Sequence, residues 1–378
     1  MEITRRDFLG GAAAAAVGVA AVAGGGLALG EAAGVSLRDA GAAKGLLVGC
    51  AVAVGRLKSD PAYAELVKAQ AGIVVAENEF KFAQLRPSAT EFNFRAADEL
   101  ADFAAANGMK LRGHNFVWHR QIPGWFNGYV TKANAEQVLV QHIETVGGRY
   151  AGKIHSWDVV NEAVFVEDGL PGGMRNSPWQ KVLAGDGFGA GGGTVPKYIE
   201  VAFRTARRVD PKALLCYNDY GIEAEDEASA KKRAAVLGLL RGMQAKQIPI
   251  DALGVQSHIS AGGKGAWAVY GKGLMAMIAE ARKMGLKVLV TEMDVNDRAL
   301  GPEIPPRDKA VAETYGSYLK MVLGDPAVIA VLTWGITDKY TWLNGEDSRA
   351  DKVAERPLPF DAEMQAKPAV GAMRLAFR

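Results

Sequence analysis

The sequence predicts a single-domain α/β fold, a closed (β/α)8 or TIM barrel. Short apolar segments alternate with amphipathic helical segments from about residue 45 to the end of the 378-residue chain. This alternation indicates a parallel sheet covered by helices, and the eight apolar segments match the strand number of this barrel. A doubly wound open sheet is the alternative. The first strand, however, is not followed by the Gly-x-Gly-x-x-Gly turn of dinucleotide-binding folds.

The eight strand candidates are rich in Val, Ile and Leu without clean alternation, as expected of parallel strands buried on both faces. In chain order they are 46–54, 72–76, 110–117, 154–160, 213–217, 252–256, 287–291 and 328–333. The predicted helices between them are 96–107, 133–150, 196–209, 225–245, 274–284 and 310–323. Gly108 and Gly285 end two of these helices, since glycine adopts the left-handed conformation of a helix C-terminus. No linker divides 34–378, which we treat as one domain.

The first 33 residues are expected to be an export signal that is separate from the fold. Arg5 and Arg6 precede Phe8 and a weakly hydrophobic run of Ala, Gly, Val and Leu that extends to Gly30. This pattern is typical of a signal read by the twin-arginine export machinery. An uncleaved anchor is the alternative, because about 20 apolar residues can span a bilayer. We expect cleavage, no membrane association afterwards, and a periplasmic or secreted protein.

Composition excludes several other classes of protein. The 44 Lys and Arg residues nearly balance the 42 Asp and Glu residues, so charge attracts neither nucleic acid nor an anionic membrane. Two cysteines, Cys50 and Cys216, exclude a disulfide scaffold, and their strands lie on opposite sides of the barrel, so we expect both to be buried and unpaired. The glycine-rich segment 185–194 lacks the ending of a phosphate loop and is interpreted as a surface loop. We expect a monomer.

Two glutamates follow apolar strands at the end of the barrel where active sites of this architecture form. Glu162 ends a Trp-Asp-Val-Val-Asn-Glu segment, and Glu292 lies in a Thr-Glu-Met-Asp segment. One glutamate at a strand end is more often a structural hydrogen-bond acceptor. Two carboxylates that face one pocket are what glycoside hydrolysis requires. A metal site is the competing interpretation, but His114 and His119 are not accompanied by Cys or a His-x-x-x-His helix.

The segments around both glutamates resemble the two signature segments of the family 10 glycoside hydrolases, the retaining endo-β-1,4-xylanases. Six further segments resemble that family in the same order: 77–81, 112–119, 217–220, 254–258, 333–338 and 356–361. The resemblance extends from about residue 45 to the C-terminus. It implies that Glu162 is the general acid/base and Glu292 the nucleophile of a double displacement, with no metal or cofactor.

This mechanism requires opposite protonation states of the two glutamates. Glu162 needs a raised pKa so that it is protonated, and apolar neighbours and the charge of Glu292 would raise it. Glu292 must stay ionised, and the resemblance implies that His258 and Asp294 form a pair whose imidazole donates to its carboxylate. Once the sugar is bonded to Glu292, the pKa of Glu162 falls and Glu162 deprotonates the incoming water.

The other segments are predicted to bind sugar. By the resemblance, Asn161 bonds the 2-hydroxyl of the sugar at the cleavage point and His114 the 3-hydroxyl. Asn78 and Lys81 hold sugars on the non-reducing side, and Gln256 lies near the nucleophile. The side chains predicted to offer flat apolar faces to sugar rings are Trp118, Trp334 and Trp342.

The predicted substrate is xylan or a xylo-oligosaccharide that is cut within the chain. No carbohydrate-binding module is expected, because no second domain with exposed aromatic residues follows residue 361. Two alternatives stay open. The cleft could accept cellulose or mixed-linkage glucan as well as xylan, or the barrel could bind glycans without cutting them.

Overall fold

The structure is a computed structural model. The residues it describes are 34–189, 195–262, 269–345 and 348–378. The predicted export signal at 1–33 lies outside the described residues, as does the second half of the glycine-rich segment. Within the described ranges, no helix is both long enough and apolar enough to cross a membrane.

A closed parallel sheet forms the centre of the molecule and confirms the predicted (β/α)8 barrel. Its strands are β1 Leu47–Val52, β2 Ile73–Ala76, β3 Lys110–Val117, β4 Ile154–Asn161, β5 Leu214–Asp219, β6 Ala252–Val255, β7 His258–Ser260, β8 Lys287–Asn296 and β9 Val328–Thr333. Strands β1 to β6 are neighbours in chain order, β6 pairs with β8, and β9 joins β8 to β1 to close the barrel. The three-residue β7 was not predicted, and it pairs with the end of β8.

Helices surround the sheet. They are α1 Leu37–Ala43, α2 Val54–Ser59, α3 Pro61–Gln70, α4 Phe82–Leu85, α5 Arg95–Ala106, α6 Phe126–Tyr129, α7 Ala135–Tyr150, α8 Pro178–Leu183, α9 Lys197–Val209, α10 Glu227–Ala245, α11 Lys272–Lys283, α12 Ile304–Val322 and α13 Pro368–Ala376. Five predicted helices agree with α5, α7, α9, α10 and α11 to within two residues at each end. Helix α12 begins at Ile304 rather than at residue 310, because Pro305 and Pro306 fit its first turn, where backbone N–H groups need no helical partner.

Small and branched apolar side chains together fill the inside of the barrel. The inner cluster consists of Ala51, Ile73, Val75, Cys216, Ala252, Leu289, Ala330 and Leu332. Alanine and cysteine suit this position because an eight-stranded barrel leaves just enough interior space for side chains. Cys50 and Cys216 are both buried and unpaired, as predicted. Burial raises the pKa of the Cys216 thiol to about 12, so it stays neutral.

The strands that carry polar residues are irregular near their carboxyl ends. The register shifts between Asp158 and Val160 in β4 and between Val290 and Met293 in β8. Such β-bulges redirect side chains and are frequent beside active sites. Strand β8 continues through its bulge to Asn296, because β7 pairs with the residues beyond it. The prediction that this strand ends at residue 291 was therefore wrong, and Glu292 lies inside the strand.

Candidate active site

Glu162 directly follows β4 and has a backbone φ of +56°, a left-handed conformation that is rare for residues other than glycine. Two backbone hydrogen bonds hold it there: its N–H donates to the Asn218 carbonyl at 2.9 Å, and its carbonyl accepts from Arg175 Nε at 2.7 Å. The side chain is buried. Its Oε1 accepts hydrogen bonds from Gln256 Nε2 at 3.0 Å and Asn161 Nδ2 at 3.3 Å. One oxygen of the carboxyl group is thus fixed by two amide donors.

Glu292 lies in the bulge of β8, and its two oxygens have different donors. Oε1 accepts from Asn218 Nδ2 at 2.8 Å, and Oε2 lies 3.3 Å from Nε2 of His258. Burial alone would raise the pKa of Glu292, but the hydrogen bond from His258 and the nearby imidazole of His114 bring the pKa below its ordinary value. The carboxylate is therefore ionised at neutral pH, as a nucleophile requires.

His258 lies between two carboxylates. Its Nδ1 is 2.9 Å from Oδ1 of Asp294, on the side away from Glu292. Asp294 also accepts a hydrogen bond of 2.7 Å from the indole Nε1 of Trp342. Burial lowers the pKa of His258, but the charges of Asp294 and Glu292 outweigh burial and raise it to about 10. The structure therefore forms the predicted His–Asp pair, with a charged imidazole beside Glu292.

A second imidazole–carboxylate pair lies on the neighbouring strands β3 and β4. Nδ1 of His114 is 2.9 Å from Oδ2 of Asp158, and Oδ1 of Asp158 accepts a hydrogen bond from Arg112. All three side chains are buried. The His114 ring lies edge-on to Trp334 at 5.4 Å. Asp158 thereby fixes the orientation of a histidine that was predicted to contact sugar.

Lys81 contacts three of the other residues that were predicted to bind sugar. Its Nζ donates to Asn78 Oδ1 at 3.2 Å and lies 4.9 Å from the centre of the Trp118 ring and 5.7 Å from that of Trp334. Burial lowers the pKa of Lys81, an effect that the charges of Glu292 and Glu162 oppose. All these groups therefore surround one cleft. The half-buried tryptophans at this cleft are Trp118, Trp334 and Trp342.

The comparisons with known proteins identify the family. The sequence model described as glycosyl hydrolase family 10 matches residues 36–376, which is most of the chain. The chain belongs to this family. A protein of Thermotoga neapolitana named endo-1,4-beta-xylanase B is 34% identical over 313 residues, covering 82% of each chain. Endo-1,4-beta-xylanase C of Paenibacillus barcinonensis is 35% identical over 86% of this chain, which spans only 30% of that longer protein.

Solved structures agree with this assignment. Xylanase 10B from Thermotoga petrophila, in complex with xylobiose, has a TM-score of 0.80 and 32% identity, covering 92% of this chain and 98% of that one. Native xylanase 10B from Thermotoga maritima has a TM-score of 0.79 at 32% identity, covering 91% and 98%. The family 10 enzyme described here is therefore a glycoside hydrolase built on a (β/α)8 barrel.

Asn218 is a site residue of this family 10 enzyme that the sequence analysis did not select. Its Nδ2 donates at 2.8 Å both to Asn161 Oδ1 and to Glu292 Oε1, and its Oδ1 accepts from Thr291 Oγ1 at 2.7 Å. It thus connects the residue before Glu162 with Glu292. The available signal was its position at the end of the fifth strand. A Cβ on Gly254 would lie 2.2 Å from Asn218 Oδ1, so only glycine leaves room for this bridge.

Two further residues of the family 10 enzyme differ from expectation. Gln256 was predicted to lie near the nucleophile, and its carbonyl does accept the Glu292 N–H at 3.1 Å. Its side chain, however, contacts Glu162. His119 was considered only as a metal ligand, yet its Nδ1 lies 3.7 Å from Oε2 of Glu162. A signal for His119 was its place at the end of segment 112–119, directly after Trp118.

Proposed function

We propose that this family 10 enzyme hydrolyses β-1,4-xylosidic linkages within xylan and retains the anomeric configuration, with Glu162 as acid/base and Glu292 as nucleophile. The observation that carries the proposal is the bridge from Asn161 through Asn218 to Glu292, which holds the two glutamates in one network. Within it, Glu292 is kept ionised by His258. Two buried carboxyl groups that face the same cleft suit a double displacement.

In the first step, a Glu292 oxygen bonds to the anomeric carbon while the bond from that carbon to the leaving oxygen breaks. Glu162 gives its proton to the leaving oxygen. In the second step, Glu162 takes a proton from a water molecule, whose oxygen bonds to the anomeric carbon as the bond to Glu292 breaks. Both glutamates return to their initial states, and no cofactor takes part.

The substrate is xylan or a xylo-oligosaccharide. The names of the relatives and the xylobiose bound to the Thermotoga petrophila enzyme support this proposal. Asn161 and His114 contact the sugar at the cleavage point, and Asn78 with Lys81 contacts the next sugar on the non-reducing side. Lys81 and Trp334, which lie close together, restrict the space that the hydroxymethyl group of glucose would need.

The test compares hydrolysis of an aryl β-xylobioside and the matching β-cellobioside by wild type, Glu292→Ala and Glu162→Ala. We expect preference for the xylobioside, no turnover by Glu292→Ala, and slow deglycosylation by Glu162→Ala that azide restores with β-configuration. Equal rates on both substrates would be consistent with the proposed double displacement but would overturn the proposed specificity for xylosidic linkages. A folded wild type that cleaves neither substrate would instead support a glycan-binding barrel.

We also propose export of this enzyme through the twin-arginine pathway as a periplasmic or secreted monomer. The proposal is supported by the paired Arg5 and Arg6 ahead of a weakly hydrophobic run. Replacing both by lysine is expected to keep the protein in the cytoplasm, as measured by cell fractionation. Normal export of that double variant would overturn the proposal. Size-exclusion chromatography of the purified enzyme tests the monomer.

A further inference from the structure

Glu162 and His119 share a small cavity beside the cleft. Other residues that line it are Trp118, Asn161, Ser177 and Trp179. Among the residues that the structure describes, Nδ1 of His119 and Nε1 of Trp179 are buried atoms without a hydrogen-bond partner. Buried polar groups are nearly always hydrogen-bonded, and those that lack a protein partner are commonly satisfied by an ordered water.

The size of the cavity fits one water molecule. The space open to the centre of a water molecule is about 10 Å³. A single water needs roughly 10–15 Å³ on this measure, together with two to four polar partners. The imidazole of His119, the indole of Trp179 and the carboxyl group of Glu162 supply three such partners.

The distance between His119 and Glu162 points to the same occupant. Nδ1 of His119 lies 3.7 Å from Oε2 of Glu162, which is too long for a direct hydrogen bond. One water can bond to two polar atoms at this separation. Because Oε1 of Glu162 already accepts two amide hydrogen bonds, the transferable proton belongs on Oε2. The shared cavity therefore adjoins the oxygen that carries out proton transfer.

Burial, with the help of nearby positive charges, keeps the imidazole of His119 neutral. Burial lowers the pKa of His119 to about 3; the charge of Glu162 opposes this shift, and the positive charges of Arg175, Arg120 and Lys232 add to it. A neutral imidazole has one nitrogen that accepts a hydrogen bond and one that donates. Nδ1 can therefore accept a hydrogen bond from water while the Trp179 N–H donates one to the same water.

We propose that one buried water bridges His119 Nδ1, Trp179 Nε1 and Glu162 Oε2, and that His119 is thereby a positioning residue for the acid/base carboxyl group. The inference rests on the acid/base role of Glu162 proposed above. The water holds Oε2 in a fixed orientation, so that its proton is directed at the leaving oxygen when substrate enters. His119 itself contacts neither the substrate nor the reacting atoms.

The kinetic test compares His119→Leu with His119→Asn on aryl β-xylobiosides of different leaving groups. The amide of asparagine reaches the position of Nδ1, whereas leucine offers no polar atom there. For His119→Leu we expect kcat/KM to fall about 10- to 100-fold on the phenyl glycoside, which needs protonation of its leaving oxygen. The same variant should lose less than about threefold on the 2,4-dinitrophenyl glycoside, which needs little protonation. His119→Asn should stay within about threefold of wild type on both substrates.

An equal loss on both glycosides would show a merely structural role and overturn the inference. A crystal structure of the wild type gives an independent test, because it does not depend on whether a variant folds correctly. We expect water density within about 3.2 Å of the three named atoms, and its absence would overturn the inference. If the wild type cleaved no xylobioside, the proposed function would fail, while the crystal structure would still decide whether the water site exists.

Discussion

The two histidines beside the two glutamates differ in charge, since His258 is protonated at neutral pH and His119 is neutral. His258 touches Glu292, and its pKa is raised to about 10, whereas His119 lies near Glu162, and its pKa is lowered to about 3. Burial lowers the pKa of both. At His258 the charges of Asp294 and Glu292 outweigh burial. At His119 the charge of Glu162 does not outweigh burial, to which the positive charges of Arg175, Arg120 and Lys232 add. The second carboxylate beside His258 thus decides the charge of its imidazole, and with it the chemistry of the adjacent carboxyl group.

Of the changes considered, removing the negative charge of Asp294, which contacts His258, should reduce activity most. In Asp294→Asn, the imidazole loses the carboxylate that keeps it protonated, and Glu292 loses its charged donor. We expect kcat/KM on an aryl β-xylobioside to fall about 10²- to 10⁴-fold, with the fold unchanged by circular dichroism. Trp342→Phe is the comparison variant, since it keeps an aromatic side chain at the cleft and removes the indole hydrogen bond to Asp294. It should lose less activity. Near-normal activity of Asp294→Asn would show that the charge of His258 is unimportant.

The hydrogen-bond bridge that Asn218 forms between Asn161 and Glu292 should be sensitive to the addition of a single methyl group. Gly254→Ala places a Cβ in the space occupied by the Asn218 amide, so the hydrogen bonds to Asn161 and Glu292 must shift. We expect kcat to fall about 10- to 100-fold. Gly148→Ala, in an open position of α7, is the control and should leave kcat unchanged. Full activity of Gly254→Ala would mean that the hydrogen bonds from Asn218 to Asn161 and Glu292 are not needed for catalysis.

The raised pKa of His258 also predicts a pH dependence of stability. Because the pKa is higher in the folded enzyme than the ordinary 6.5, the stabilisation is complete below pH 6.5 and disappears as the pH rises through about 10. The difference in the free energy of unfolding between wild type and His258→Asn should therefore shrink by about 4 kcal/mol from pH 7 to pH 10.5. Denaturant titrations at both pH values measure it. A constant difference would place a neutral imidazole beside Glu292.

The smallest effect is expected at the backbone of Glu162. Arg175 donates to its carbonyl at 2.7 Å and to the Tyr220 hydroxyl at 3.0 Å, and so supports a residue with positive φ. Arg175→Lys keeps the charge but cannot make both bonds in the same geometry. We expect kcat to fall about three- to tenfold with KM nearly unchanged. A change in KM alone would mean that Arg175 serves substrate binding instead of holding Glu162.

Sequence alone could predict the barrel because each long strand carries its own apolar pattern. It also predicted both glutamates and the His258–Asp294 pair as site residues, because these residues lie in recognisable segments, and the structure places His258 between Asp294 and Glu292. It missed β7, whose three residues are too short for any periodicity, and therefore ended β8 too early. The bridge through Asn218 and the cavity at His119 were not predictable, because both depend on how side chains from separate strands and loops meet. Local pattern contains no information on such distances.

The closure of the sheet has a consequence for synthesis of the chain. Strand β1 pairs with β2 on one side and with β9 on the other. Strand β9 spans residues 328–333. One edge of β1 therefore stays unpaired until almost the entire polypeptide has left the ribosome. Until then the nascent sheet is open and offers unpaired backbone groups to other chains. A truncated chain that ends before β9 is therefore expected to aggregate and not to form a smaller active enzyme.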